Sequence, residues 1–292
     1  MKGDMTEGSS SKILITFAIP MVLGNIFQQL YNTTDAIIVG RFIGKNALAA
    51  VGVSNPIMSI ALFFIFGICM GTSILMSQLF GSGEYKVLKK EVSTALIVGI
   101  IFTIILSITC ILLSRWVLII MGTPKEILND ADVFLKIIFG GLIFSFLYNY
   151  YSSALRAIGD SKTPLIFLIV SCLLNGILCI ILIIVFKLGV AGSAIATVIA
   201  QGISSILCIV YVYIKIPLIR LNRKELVIDK SLVKLTIQYS WVTALQQTCL
   251  YIGRLLVQGV VNSFGINAIA AYNSVTRVDS FVLAPGDKIG RA

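Results

Sequence analysis

One carboxylate dominates the chemistry this sequence can offer. Asp35 closes the segment Tyr31-Asn32-Thr33-Thr34-Asp35, near the far end of a continuous apolar stretch. It reads as the only acidic residue within the apolar interiors of the first six such stretches. A carboxylate in that setting lines a cavity, pairs with a partner, or carries a proton. A proton or a bound Na+ would each neutralise it, which makes Asp35 the expected coupling site of an ion-driven process. The structural alternative is a carboxylate near the outer interface, paired with a neighbour such as Arg41. Gln28 and Asn25 precede Asp35 by two and nearly three helical turns, so on a helix the three fall near one face. Together with Gln29 they would line a substrate path or join helices by hydrogen bonds. Asn175 and Thr197 are the other candidate ion-site oxygens, with a purely structural role as the alternative. Arg254 lies within a later apolar stretch and points to a cavity, a carboxylate partner or an interface. Arg156 and Asp160, one helical turn apart in sequence, form a local ion pair or the hinge of a gate.

The elements that must position these groups follow from composition. Of 292 residues, 58% are apolar and 12% charged, against about 25% charged in a soluble domain. The mean hydropathy is +0.99. Such a chain has too little polar surface for a water-soluble enzyme, and a disordered tail is equally excluded. About 20 residues cross a bilayer core as a helix. Seven apolar stretches fit, near 13–39, 51–80, 92–113, 132–155, 163–186, 189–214 and 232–262, and an eighth begins near 268. The first two are joined across Gly40–Asn46, and Pro56 is expected to bend the second or mark its entry. The alternating strands of a barrel are missing from the pattern. The six Cys all lie inside apolar runs without a CxxC, so they read as small buried hydrophobes rather than disulfides or ligands. The chain has no His. The net charge of +10 is spread between the apolar stretches, so it reads as membrane loop bias and not as a nucleic-acid surface.

Loop charge sets the expected orientation. Thirteen Lys and Arg flank the N-terminus and the even-numbered loops, against six on the other side. The N-terminus is therefore expected in the cytoplasm of a multi-pass cell-membrane protein. The segment 215–230 is the longest polar connection, dividing a transmembrane lobe at 1–214 from the start of a second at 231–292. The second start replays the first. Phe42-Ile43-Gly44-Lys45-Asn46-Ala47-Leu48-Ala49-Ala50 is echoed by Phe264-Gly265-Ile266-Asn267-Ala268-Ile269-Ala270-Ala271. Gly44 and Gly265 stand at the same interval as Asn46 and Asn267, and Gln28-Gln29 is echoed by Gln246-Gln247 at nearly that interval. Six stretches separate the copies, so the halves would be parallel repeats, an arrangement that secondary transporters use.

Several motifs then occur in order along nearly the whole chain: Pro20, Gln28-Gln29-Leu30-Tyr31 with Asp35, Val39-Gly40-Arg41, Gln78-x-x-Gly81-x-Gly83, Leu155-Arg156-Ala157-Ile158-Gly159-Asp160, and Gly189-Val190-Ala191-Gly192-Ser193-Ala194-Ile195-Ala196-Thr197. This ordered set resembles the multidrug and toxic compound extrusion (MATE) family of Gram-positive bacterial type. The resemblance implies an all-α integral membrane protein with a two-lobe helical bundle. Here the six-helix first lobe would be complete and only the first one to two helices of the second present. It also implies an antiporter that exports cationic or amphipathic drugs in exchange for H+ or Na+, through a cleft between the lobes. Asp35 matches the acidic residue of the family's first helix, Asn175 an Asn of helix five and Thr197 a Thr of helix six. Tyr31, Gln28, Gln29, Asn25, Gln246, Gln247 and Arg254 become substrate-cleft candidates. The family Asp one turn after the helix-five Asn falls on Cys179. A thiol is a poor Na+ ligand and carries no fixed charge near neutral pH, so the match to a complete ion site stops there.

Two other readings stay open, a lipid-linked precursor flippase of the same superfamily and a non-transporting membrane receptor or assembly protein. No enzyme chemistry, cofactor or nucleic-acid partner is expected, membrane lipid is, and the full-length protein is expected to be monomeric. Two halves at the repeat interval need a chain about half as long again as this one. Pro285–Ala292 also brings three charges where an apolar helix should continue. The chain therefore reads as truncated, about two-thirds of a transporter.

Overall fold

The computed structural model describes residues 10–222, 225–262 and 275. The described residues form eight α-helices: α1 Ser10–Phe42, α2 Lys45–Gly81, α3 Tyr85–Ile120, α4 Lys125–Gly140, α5 Leu142–Ala157, α6 Lys162–Ile180, α7 Gly189–Lys215 and α8 Lys230–Asn262. A π-helical turn, Ile181–Val185, follows α6. The physical cause is the solvent. In hydrocarbon every backbone N–H and C=O must be bonded within its own segment, which a helix achieves.

The helices outrun the apolar stretches. α1 continues to Phe42 and α2 begins at Lys45, so Ile43 and Gly44 alone connect them, where the sequence pattern predicts a loop from Gly40 to Asn46. Gly44 turns the chain at φ 117°. α2 runs unbroken through Pro56. The fourth apolar stretch is two helices, α4 and α5, meeting at a 45° bend. The break falls at Gly140-Gly141. A Cβ on Gly141 would lie 2.4 Å from the Val198 side chain, so only glycine lets α7 seat against the corner.

Among the described residues four helical units are long and apolar enough to cross a membrane alone, or five with the α4–α5 pair as one bent span. The stretches expected at 13–39 and 232–262 coincide with α1 and α8, which are not among those units. The eighth stretch from 268, the repeat segment 264–271 and the charged end 285–292 lie outside the described residues, Val275 apart.

The main core lies where α2, α3, α4, α5 and α7 meet, around Ile65, Met76, Leu118, Phe139 and Phe146. A second cluster, with Ile38, Val39, Ile183 and Val190, packs α1 against the end of α6 and the start of α7. Outward, α3 shows an apolar stripe from Ile101 through Ile104, Ile105, Ile108 and Leu112 to Trp116 and Ile120. With α6 and α7 this gives the outer surface of an integral membrane protein. All six cysteines are free, and Cys249 on α8 is the exposed one.

Candidate functional site

Three helices each contribute two polar residues one turn apart: Tyr31 and Asp35 on α1, Asn175 and Cys179 on α6, Ser193 and Thr197 on α7. Residues one turn apart share a helix face. The three pairs therefore meet as two stacked layers, with α7 antiparallel to the other two.

In one layer the Ser193 hydroxyl donates to both Asp35 oxygens, at 2.9 Å to Oδ1 and 3.2 Å to Oδ2. The Cys179 thiol donates to Oδ1 at 3.5 Å. In the other layer the Thr197 hydroxyl accepts from Tyr31 Oη at 3.1 Å and from Asn175 Nδ2 at 3.2 Å. Asn175, Cys179 and Ser193 are buried, while Asp35 is half-buried.

Packing explains the placement. Ile38 and Val39 bury the turn of α1 that follows Asp35 and fix the face it presents. Gly192 lets α7 approach the π-helical turn, where an added Cβ would lie 3.3 Å from the Leu182 backbone, and Ser193 is aimed by that approach. π-turns inside helices recur at functional sites.

Asp35 receives donors, and none of the ion pairs among the described residues includes it. Arg41, its alternative partner, is exposed. The layers offer a carboxylate, two hydroxyls, an amide and a phenol as oxygens, with one sulfur beside the carboxylate. No group of three His, Cys, Asp or Glu able to hold a metal occurs among the described residues.

The structure thus brings together Asp35, Asn175, Thr197 and Tyr31. Gln28 and Gln29 are exposed on α1, and Asn25 is half-buried. Gln246 is exposed on α8, and the side chains of Gln247 and Arg254 lie outside the described ones. Arg156 donates to Ser153 Oγ at 3.0 Å. Asp160 accepts from the Thr163 amide at 3.0 Å and the Thr163 hydroxyl at 2.6 Å, fastening the start of α6.

Sequence reasoning misses two residues. Ser193 reads as part of a small-residue packing pattern, although it precedes Thr197 by one turn. Glu91 falls just outside the third apolar stretch, yet on α3 it is fully buried, so Asp35 is not the only buried acid. Asp132 is buried as well, but it is paired with Lys136 at 2.8 Å and hydrogen-bonded by Ser114 at 2.7 Å.

Comparison with known proteins now bears on this geometry. The MatE family profile matches residues 20–181. The chain is 32% identical over 294 residues to the probable multidrug resistance protein YpnP of Bacillus subtilis, covering 99% of this chain and 64% of that protein. It is 25% identical over 277 residues to the multidrug export protein MepA of Staphylococcus saprophyticus, covering 94% of this chain and 61% of the other. The chain thus spans somewhat less than two-thirds of these relatives. In fold it is similar to a solved MOP superfamily transporter from Pyrococcus furiosus. The TM-score is 0.90 at 23% identity, over 100% of this chain and 65% of that one. A multidrug resistance MATE family transporter in its outward-facing conformation superposes with a TM-score of 0.89 at 22% identity, over 97% of this chain and 63% of that one.

Proposed function

The chain belongs to the MatE family, and from that premise we propose that it forms the ion-coupling part of a secondary antiporter. The antiporter exports cationic or amphipathic drugs. Supporting this are relatives from Bacillus and Staphylococcus that carry the names multidrug resistance and multidrug export protein. It works by transport and not by covalent catalysis. Its place is the cell membrane, with the N-terminus in the cytoplasm as the thirteen-to-six bias of basic residues favours. The full-length protein acts as a monomer among membrane lipids.

The observation that carries this reading is Asp35 at the seam of α1, α6 and α7. It is held by the Ser193 hydroxyl and the Cys179 thiol, outside every ion pair among the described residues. A carboxylate so placed is bistable. Neutralised by an ion, it lets α1 settle among apolar neighbours. Left charged, it draws water and donors toward itself. Ion binding that differs between the two arrangements of α1 shifts the population of inward-open and outward-open states. Of the two coupling ions, H+ fits the residues present better than Na+. A proton needs only the carboxylate, whereas a hard cation needs several oxygens, and here sulfur adjoins the carboxylate. Asn175, Thr197 and Tyr31 then hold the adjoining turns in register. Gln28, Gln29, Asn25, Gln246, Gln247 and Arg254 belong to the substrate path.

The test is drug efflux and ion exchange in vesicles containing the full-length protein. Asp35→Asn is expected to abolish pH-driven efflux while the protein still folds and melts as before. Undiminished ion-coupled transport in that variant would overturn the proposal.

A further inference from the structure

Glu91 sits in the second turn of α3 and is fully buried. Its Oε1 accepts a hydrogen bond of 2.7 Å from the Thr236 hydroxyl on α8. Its Oε2 is buried with no hydrogen-bond partner among the described residues, and the same holds for Ser240 Oγ, one turn beyond Thr236 on the same face of α8. The ion pairs among the described residues are Lys89–Glu225, Arg115–Asp132 and Lys136–Asp132, so Glu91 belongs to none of them. The titratable groups facing it are Tyr150 of α5 and Asp229 of the 216–229 connection, and both are neutral or acidic. From α8, Thr236 and Ser240 bring hydroxyls, and α2 presents Gly71 to Ser240.

A charged carboxylate there would leave one oxygen dry and unpaired beside another acid. Such groups take a proton instead.

The surroundings show what the proton would hold. Ser93 Oγ accepts from the Val227 amide at 2.8 Å, and Thr94 Oγ1 accepts from the Asp229 amide at 3.1 Å. Lys89 pairs with Glu225 at 2.8 Å. The first turns of α3 thus clasp both the connection and the start of α8.

We propose that Glu91 is a second proton-binding site of this protein, and that its proton keeps α8 fastened to α3. The neutral carboxyl lies between the helices with Thr236 as donor. Loss of the proton places an unpaired negative charge in the seam, and α8 lifts from α3 to admit water. This inference is independent of the role given to Asp35, because the residues are on other helices and the test uses no transport.

The experiment is an infrared pH titration of the purified protein from about pH 5 to about pH 9, with hydrogen exchange of α8 followed in parallel. A protonated-carboxyl band is expected at the acid end in Asp35→Asn, where Asp35 cannot contribute to it, and is lost in the Asp35→Asn/Glu91→Gln double variant. As the wild-type band disappears, exchange over 231–245 should accelerate beyond its intrinsic base-catalysed rise by up to about tenfold per pH unit. Glu91→Gln should keep that segment protected throughout. Should Glu91→Gln fail to fold, Thr236→Val serves instead. It removes the donor that stabilises the carboxylate, so the band should survive to more alkaline pH. The proposal is overturned if Asp35→Asn shows no such band, if the Asp35→Asn/Glu91→Gln double variant retains it, if α8 protection corrected for intrinsic exchange ignores pH, or if Thr236→Val leaves the titration unmoved.

Discussion

On the proposed ion-coupling reading, position 179 decides what kind of ion the three-helix seam would hold. Its thiol lies 3.5 Å from Asp35 Oδ1, close enough for a carboxylate in its place to share a cation with Asp35. Cys179→Asp is therefore expected to create Na+ dependence. The variant should be stabilised in NaCl over KCl by about 1–3 kcal/mol at Na+ about ten- to a hundredfold above its dissociation constant. The wild type should melt alike in both salts. Equal behaviour of the two proteins would mean that something other than the thiol limits Na+ binding. At this scale the sequence is informative where a polar residue interrupts an apolar run, which is how Asp35, Asn175 and Thr197 stand out. Ser193 lies among glycine and alanine and looks like packing until Asp35 is seen facing it. Glu91 immediately precedes the apolar run that starts at 92, so hydropathy assigns it to a loop. Its burial depends on Thr236 of α8, a helix far along the chain.

Between elements, α2 lies hard against α8 at Gly71. A Cβ there would fall 2.4 Å from the Ser240 backbone nitrogen and 2.6 Å from its Cα. Backbone cannot step aside as a side chain can. Gly71→Ala is expected to cost about 1–3 kcal/mol, as overpacking does. A lowered melting temperature would show it, together with faster proteolysis within α8. A variant that melts like the wild type would mean that the two helices slide freely. The Gly67-x-x-x-Gly71 spacing announces a close contact, but not its partner, because small residues permit approach without selecting who approaches. Hydropathy locates the helices and misjudges their ends, since helical bonding continues past the hydrocarbon into the headgroup zone. The α4–α5 bend is invisible to it for a related reason: the chain changes direction there without changing polarity.

For the molecule as a whole, the connection between α7 and α8 matters most. Glu225 is held below the usual carboxylate range, chiefly by its hydrogen bond from Lys89. Asp229 is likewise held low, chiefly by the Ser231 hydroxyl. A carboxyl lowered on folding stabilises above its unfolded value and loses that contribution as pH falls through its folded one. Docking of 216–229 should thus hold at neutral pH and loosen only under acid below the ordinary glutamate value of about 4.3. Glu225→Gln should remove much of that acid step as seen by hydrogen exchange, and a step that persists unchanged would exclude the Lys89–Glu225 pair as its source. The polar character of 215–230 makes this connection visible in the sequence. Which residues of α3 receive it is not visible, because Ser93 and Thr94 carry no signal apart from the Val227 and Asp229 backbone they bind. The outward stripe on α3 from Ile101 to Ile120 adds one thing more. As a helix, that stripe is as long as the oily slab of a bilayer is thick. On the proposed orientation, the turns from Tyr85 to Ile100 would lie beyond it, toward the headgroups and the cytosol. The clasp on α8 would then stand next to the compartment whose acidity it reads, and its water would enter only when α8 lifts.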